Sequence, residues 1–173
     1  PVDCEKLEIS HGSVSMENST DGGRAIYRCD DGYELKGQGS RTCDASGDWS
    51  GEAPTCEDID ECATNNGGCD TNATCTNLEG ASPTCACEPG YTGDGEDCQA
   101  ILCDENQRVA SNACVDCEAG TNNPAGDNAS ESDTTCDAIL CAENQQVVSH
   151  ACVDCEAGSL NASGDNASES DTS

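Results

Sequence analysis

Seventeen cysteines in a chain of 173 residues, with no Phe, one Trp, three Tyr and one Met, decide most of what this sequence can become. A single globular domain of that length must bury a large apolar core, and so few aromatics with scattered Val, Ile and Leu cannot fill one. Cysteine at about a tenth of the residues marks a disulfide scaffold rather than a cytosolic enzyme, and places the chain in an oxidising space. Each bridge can add roughly 3 kcal/mol by restricting the unfolded chain, so several can stand in for the missing core.

The charge excludes further classes. Six basic residues face 35 acidic ones, a formal net charge of −29. Phosphate binding needs clustered Lys and Arg, so nucleic acid is not an expected partner, and an anionic membrane surface is disfavoured for the same reason. The imbalance is uneven: residues 1–56 carry 11 acids and 5 bases, whereas residues 57–173 carry 24 acids and only Arg108. Such a surface is either simply solvated, or it captures cations or attracts a basic partner. No run approaches the apolar length of a membrane span, so no membrane insertion is expected in this segment. The opening Pro1-Val2-Asp3-Cys4 holds no leader, which reads as a mature secreted form.

Cysteine spacing divides the chain into four modules: 1–57, 58–99, 100–137 and 138–173. The last two are an internal repeat, in which Ala100–Thr135 and Ala138–Ser173 agree at 27 of 36 positions with a period of 38. That period puts the counterpart of Cys136 one position past Ser173, so further repeats are expected and Cys155 awaits a mate. A free functional thiol or an intermolecular bridge is the other reading. Near-identical tandem units imply an array in which each unit stacks on its neighbour. The Ala-Ile-Leu before each first Cys is the unit's strongest apolar patch and is expected to pack on the preceding unit.

In the first module, short β-prone runs separated by Gly and Asp turns predict a small all-β fold, with Trp49, Tyr27 and Tyr33 as a miniature core. The string Tyr27-Arg28-Cys29 with Gly32-Tyr33-Glu34-Leu35, the late Trp49 and the Pro54-Thr55-Cys56 ending resemble the sushi (complement control protein) module. The resemblance implies bridges Cys4–Cys43 and Cys29–Cys56. His11 has no acid–base partner and reads as a turn residue.

The second module opens Asp58-Ile59-Asp60-Glu61-Cys62 and closes Cys87-Glu88-Pro89-Gly90-Tyr91-Thr92-Gly93. It resembles a calcium-binding EGF-like module, which implies bridges Cys62–Cys75, Cys69–Cys85 and Cys87–Cys98. It also implies a structural calcium held by side-chain oxygens of Asp58, Glu61 and Asn77 and by the carbonyls of Ile59 and Leu78. Extracellular sites of this kind bind at about 10⁻⁴ to 10⁻³ M. The segment Gly80-Ala81-Ser82-Pro83-Thr84-Cys85 lacks the aromatic the family places before its fourth Cys, which weakens the expected packing onto the neighbouring module. In this family Thr74, just before the third Cys, can carry O-linked fucose.

Each repeat carries one Cys-Val-Asp-Cys pair. A thioredoxin-like redox site needs a βαβ context and an electropositive setting, whereas Asp116 and Glu118 flank this pair. A zinc site brings a second such pair or paired His, and His150 is Asn112 in the sister copy. Structural disulfides are the plain reading. The spacing and the Ala-Cys-Val-x-Cys-x-Ala-Gly string resemble Cys-rich repeats of receptor ectodomains and of protist or algal surface proteins. That implies Cys103–Cys114, Cys117–Cys136 and Cys141–Cys152, with other pairings open. Sequons at Asn18, Asn72, Asn128, Asn161 and Asn166 predict covalently attached glycans in a secreted chain.

The expected fold class is therefore small disulfide-rich, mainly β modules in an elongated multi-module chain with little helix and no large hydrophobic core. No nucleophile–base pair or phosphate-cradling loop is visible, so an enzyme is not expected. Two functions fit an extracellular chain of this kind. One is a structural glycoprotein that self-associates into a homopolymer: a filament, surface coat or appendage such as a mastigoneme. The other is a receptor or adhesion ectodomain binding protein or glycan through its first two modules.

Overall fold

The computed structural model of the chain describes residues 2–172, leaving Pro1 and Ser173 outside the described residues. The chain folds as small disulfide-rich β modules: fifteen short strands, two 3₁₀ turns and eight disulfides, with no α-helix among the described residues. It groups into two compact units, residues 1–69 with 75–85 and residues 70–74 with 86–173, so the divide falls inside residues 58–99.

The first unit begins with β1 (Gly12–Met16), β2 (Arg24–Cys29), β3 (Tyr33–Lys36), β4 (Ser40–Thr42) and β5 (Thr55–Asp58). β1, β2 and β4 form one antiparallel sheet, and β3 pairs with β5. Alternation along β2 turns Ala25 and Tyr27 inward, and both are buried. Cys4–Cys43 and Cys29–Cys56 clamp the module at either end. Trp49 closes it by donating its Nε1–H to the Glu5 carbonyl at 2.8 Å. The Arg41 guanidinium holds the same loop through the carbonyls of Trp49, Ser50 and Gly51, at 2.8 to 3.0 Å. Tyr33 is not part of this core. Its ring stacks on His11, with centroids 4.4 Å apart, in a turn where His11 takes φ +55°.

β5 runs across residues 57 and 58, pairing Tyr33 with Asp58, and the Ile59 amide donates to the Gly32 carbonyl at 2.9 Å. Two 3₁₀ turns follow, Glu61–Ala63 and Asn65–Gly68. The hairpin β6 (Ala73–Leu78) and β7 (Ala81–Cys87) is tied back by Cys62–Cys75 and Cys69–Cys85.

The second unit continues with β8 (Tyr91–Gly93) and β9 (Cys98–Ala100), a pair closed by Cys87–Cys98. The first repeat contributes the hairpin β10 (Gln107–Ala110) and β11 (Ala113–Asp116), then β12 (Thr121–Asn122). β13 (Asp137–Ala138) leads into the second repeat, whose hairpin is β14 (Gln145–Val148) and β15 (Ala151–Asp154). Ser111 and Asn112 both take positive φ at the first hairpin, as Ser149 and His150 do at the second, the geometry that matches strand twist across a two-residue turn. Cys103–Cys114, Cys117–Cys136 and Cys141–Cys152 are bridged, whereas Cys155 is half-buried and unbridged.

Each repeat centres on one valine. Val109 with Cys103 and Ala129, and Val147 with Cys141 and Ala167, are the buried apolar residues of the two copies. A short polar chain pins each valine strand. The Val109 amide donates to Thr134 Oγ1 at 2.9 Å, the Thr134 hydroxyl donates to Asp127 Oδ2, and Asn123 Nδ2 donates to the same oxygen at 2.7 Å. Val147, Thr172, Asp165 and Asn161 repeat the arrangement.

Those hydroxyl and amide donors, the Thr hydroxyl first, hold the Asp127 and Asp165 carboxyls below the usual aspartate value. A folded-state value below the unfolded one, about 3.9, means the contribution is present above that pH and lost as pH falls through the folded value. The protection of the Val109 and Val147 amides, measured against their intrinsic exchange rates at each pH, should therefore fall below about pH 4, close to the unperturbed aspartate value. The double variant Asp127→Asn/Asp165→Asn should lose that acid dependence; an unchanged profile would remove the two carboxylates from the account.

The modules join by one device used twice. The Ile101 amide donates to the Gly90 carbonyl, and the Ala129 amide to the Ile101 carbonyl, each at 2.9 Å. Between repeats, Ile139 donates to Gly120 and Ala167 to Ile139, again at 2.9 Å. Ala129 and Ala167 are wholly buried against the two glycines. The Leu side chains expected to pack there do not: Leu102 and Leu140 are 61% and 64% exposed. Contact is made through backbone and small residues because a left-handed Gly lets two main chains approach within hydrogen-bonding distance.

Candidate functional site

Two of the residues expected to hold calcium, Asp58 and Asn77, meet where β5 reaches the β6–β7 hairpin. Asp58 ends β5, so sheet pairing with Tyr33 fixes its direction. Its Oδ2 accepts from Asn77 Nδ2 at 2.7 Å and its Oδ1 from the Gly80 amide at 2.6 Å, tying it to β6 and to the turn of the hairpin. Glu61 begins the first 3₁₀ turn, a few residues on.

Three buried side-chain oxygens among the described residues have no hydrogen-bond partner: Tyr27 Oη, Glu61 Oε2 and Asn77 Oδ1. Two of the three belong to the expected calcium set. A buried acceptor without a donor costs about 1–3 kcal/mol, more if charged, and a hard cation is one group that can take the place of the missing donor. Ile59 and Leu78, expected to offer carbonyls, are partly exposed at 41% and 40%. Among the described residues no three His, Cys, Asp or Glu side chains cluster as a metal site.

The aromatic that the hairpin lacks is supplied from the first module. Gly80 takes φ +65° with its α-carbon against the Tyr33 ring, and a β-carbon there would sit 2.7 Å from Cε2. Glu79 Oε1 lies 3.9 Å from His11 Nε2, beside the stacked rings. Desolvation first, then the carboxylates of Glu79 and Asp58, raise the Tyr33 phenol above its usual value.

The sequons differ in what their amides do. At Asn18, Asn128 and Asn166 the Oδ1 accepts from both the amide and the hydroxyl of the sequon's Ser or Thr. At Asn161 the Nδ2 donates to the Gln145 carbonyl at 2.8 Å and to Asp165 Oδ2, so a glycan there would displace one of these bonds. Its sister Asn123 makes the same two bonds but precedes Pro124 and Ala125, outside any sequon. An Asn kept in both copies while the sequon is kept in one is the signal that marks a structural amide. Asn72 is half-buried and Thr74 is exposed on β6.

Residues 4–56 match the Sushi repeat (SCR repeat) family and residues 62–98 the EGF domain family. The chain is 38% identical over 101 residues to the rat protein "Sushi, von Willebrand factor type A, EGF and pentraxin domain-containing protein 1", covering 55% of this chain and 3% of that protein. It is 35% identical over 96 residues to mouse Fibulin-7, covering 54% of this chain and 21% of that one. It is 40% identical over 65 residues to Protein lev-9 of Caenorhabditis elegans, covering 34% and 10%. The chain thus spans only a small part of the length of these relatives.

Proposed function

We propose, for a chain that carries a Sushi repeat followed by an EGF domain and lies outside the cell or at its surface, that it is a structural glycoprotein of an extracellular filament, coat or appendage. The observation that carries this reading is the pair of near-identical repeats joined by the same Gly–Ile–Ala backbone contact that joins the EGF domain to the first of them. Elements of this kind extend by addition, and bridges with glycans at Asn18, Asn128 and Asn166 suit proteolytic and mechanical resistance. Five of the six bases lie within residues 6–41, on a head whose net charge is still −6, while Arg108 is the only base of residues 57–173; in this reading those bases make the local contact with the acidic stalk of the next subunit.

Electron microscopy of native, glycosylated material should show regular fibres. These should loosen as salt rises from about 0.15 to 1 M, where the screening length falls from about 8 to 3 Å. Single particles at every salt concentration would overturn the filament reading and leave the adhesion reading, in which the two N-terminal modules bind a protein or glycan. Fibres indifferent to salt would overturn only the head-to-stalk attraction.

Calcium, in this reading, is structural. The ion would link Asp58 at the end of β5 with Glu61 and with Asn77 on the hairpin, satisfying the two orphaned oxygens. With an affinity of about 10⁻⁴ to 10⁻³ M, 10 mM calcium should stabilise the chain by about 1.4–2.7 kcal/mol. Glu61→Gln should remove most of this in thermal melts with and without chelator. An unaltered chain that gains nothing from calcium would exclude the site.

A further inference from the structure

The turn Cys-Glu-x-Gly occurs three times: Cys87–Gly90, Cys117–Gly120 and Cys155–Gly158. In each, the Glu carbonyl accepts the amide of the residue after Gly, at 3.1, 3.1 and 2.9 Å, and the Gly takes a φ of +87°, +80° and +96°. The first two turns are covered. Gly90 and Gly120 are buried, a β-carbon on either would lie 2.6 or 2.1 Å from the carbonyl oxygen of Ala129 or Ala167, and each Gly carbonyl holds an Ile amide. Their cysteines, Cys87 and Cys117, bridge to Cys98 and Cys136, each two residues ahead of the Ala-Ile-Leu-Cys strand that docks on the turn.

The third turn has the same form and nothing on it. Gly158 is exposed, a β-carbon there would meet nothing within 4 Å, and no backbone amide among the described residues reaches its carbonyl. Leu160 is 88% exposed and Cys155 is unbridged.

We propose that Gly158–Leu160 is a preformed docking face whose occupant is one more unit of the same repeat, joined in tandem and arriving as a Cys-x-Ala-Ile-Leu-Cys strand. Continuity with two existing interfaces carries the assignment: the acceptor carbonyl, the left-handed Gly and the cysteine are all in their working positions. A second copy of this chain is the poorer occupant, because both strands of that kind which it carries are engaged on its own Gly90 and Gly120. The inference holds whether or not the chain builds filaments.

The test appends a copy of residues 136–173 directly after Ser173 and refolds the extended chain in mixed reduced and oxidised glutathione. Two thiols then become one disulfide as oxidised glutathione becomes two reduced molecules. The amide of the added Ile should be protected from exchange as Ile139 is. Iodoacetamide should label the added counterpart of Cys155 instead of Cys155 itself. Gly158→Ala should cut the protection of the added Ile at least tenfold, while in the unextended chain it leaves Ile139 and Ala167 unchanged. An added Ile that exchanges at the free-chain rate, whether the added unit is unfolded or folded but undocked, overturns the proposal. So does a dimer of the unextended chain that Gly158→Ala dissociates, since the occupant would then be a second copy.

Discussion

Gly120→Ala should release the second repeat from the first while leaving each hairpin folded. The added β-carbon would lie 2.1 Å from the Ala167 carbonyl oxygen and 2.3 Å from its carbon, and both are main-chain atoms that no side-chain rotation can move aside. A left-handed backbone costs an Ala about 1–2 kcal/mol, and forcing the overlap adds about 1–3 kcal/mol. A loss of 2 kcal/mol or more should quicken exchange of the Ile139 amide by about 30-fold or more. Gly158→Ala is the matched control, because Gly158 has a similar φ and no neighbour within 4 Å. Its cost should be limited to the backbone preference and confined to its own turn. Equal effects of the two substitutions on Ile139 would show that the close approach at Gly120 contributes nothing.

The double variant Cys4→Ala/Cys43→Ala should unfold the first module at temperatures where the repeats stay folded. This bridge closes 39 residues of sequence and its cysteines are among the most buried residues of the module, at 5% and 1% exposed. Releasing a loop of that size costs about 4 kcal/mol. For a module of this size that lowers the melting temperature by about 16–30 °C. Trp49, the only Trp in the chain, reports the event locally, since its indole is anchored to the Glu5 carbonyl one residue from Cys4. A fall of only a few degrees in the Trp49 fluorescence melt would mean that Ala25 and Tyr27 hold the module without the bridge.

The β class and the order of the first two modules were legible because cysteine spacing and short strings such as Gly32-Tyr33-Glu34-Leu35 encode them locally. What was not legible depends on residues far apart in sequence. Tyr33 reads as core in a string of its own module, yet its ring lies under Gly80, 47 positions on. Ala-Ile-Leu reads as a hydrophobic plug, yet the structure uses its Ile amide and leaves the Leu in solvent. Hydropathy cannot register a contact made by main-chain groups and a Gly conformation. The set expected to hold calcium, Asp58, Glu61 and Asn77, was named from sequence by resemblance. Only coordinates reveal that Glu61 Oε2 and Asn77 Oδ1 are buried and orphaned.

Because each repeat buries a single valine, unfolding it uncovers little hydrocarbon. The heat-capacity change of unfolding scales with that uncovered apolar surface, and it is what bends a stability curve against temperature. The repeats should therefore lose stability along a nearly straight line as temperature rises rather than over a dome, with disulfides rather than buried hydrocarbon setting its height.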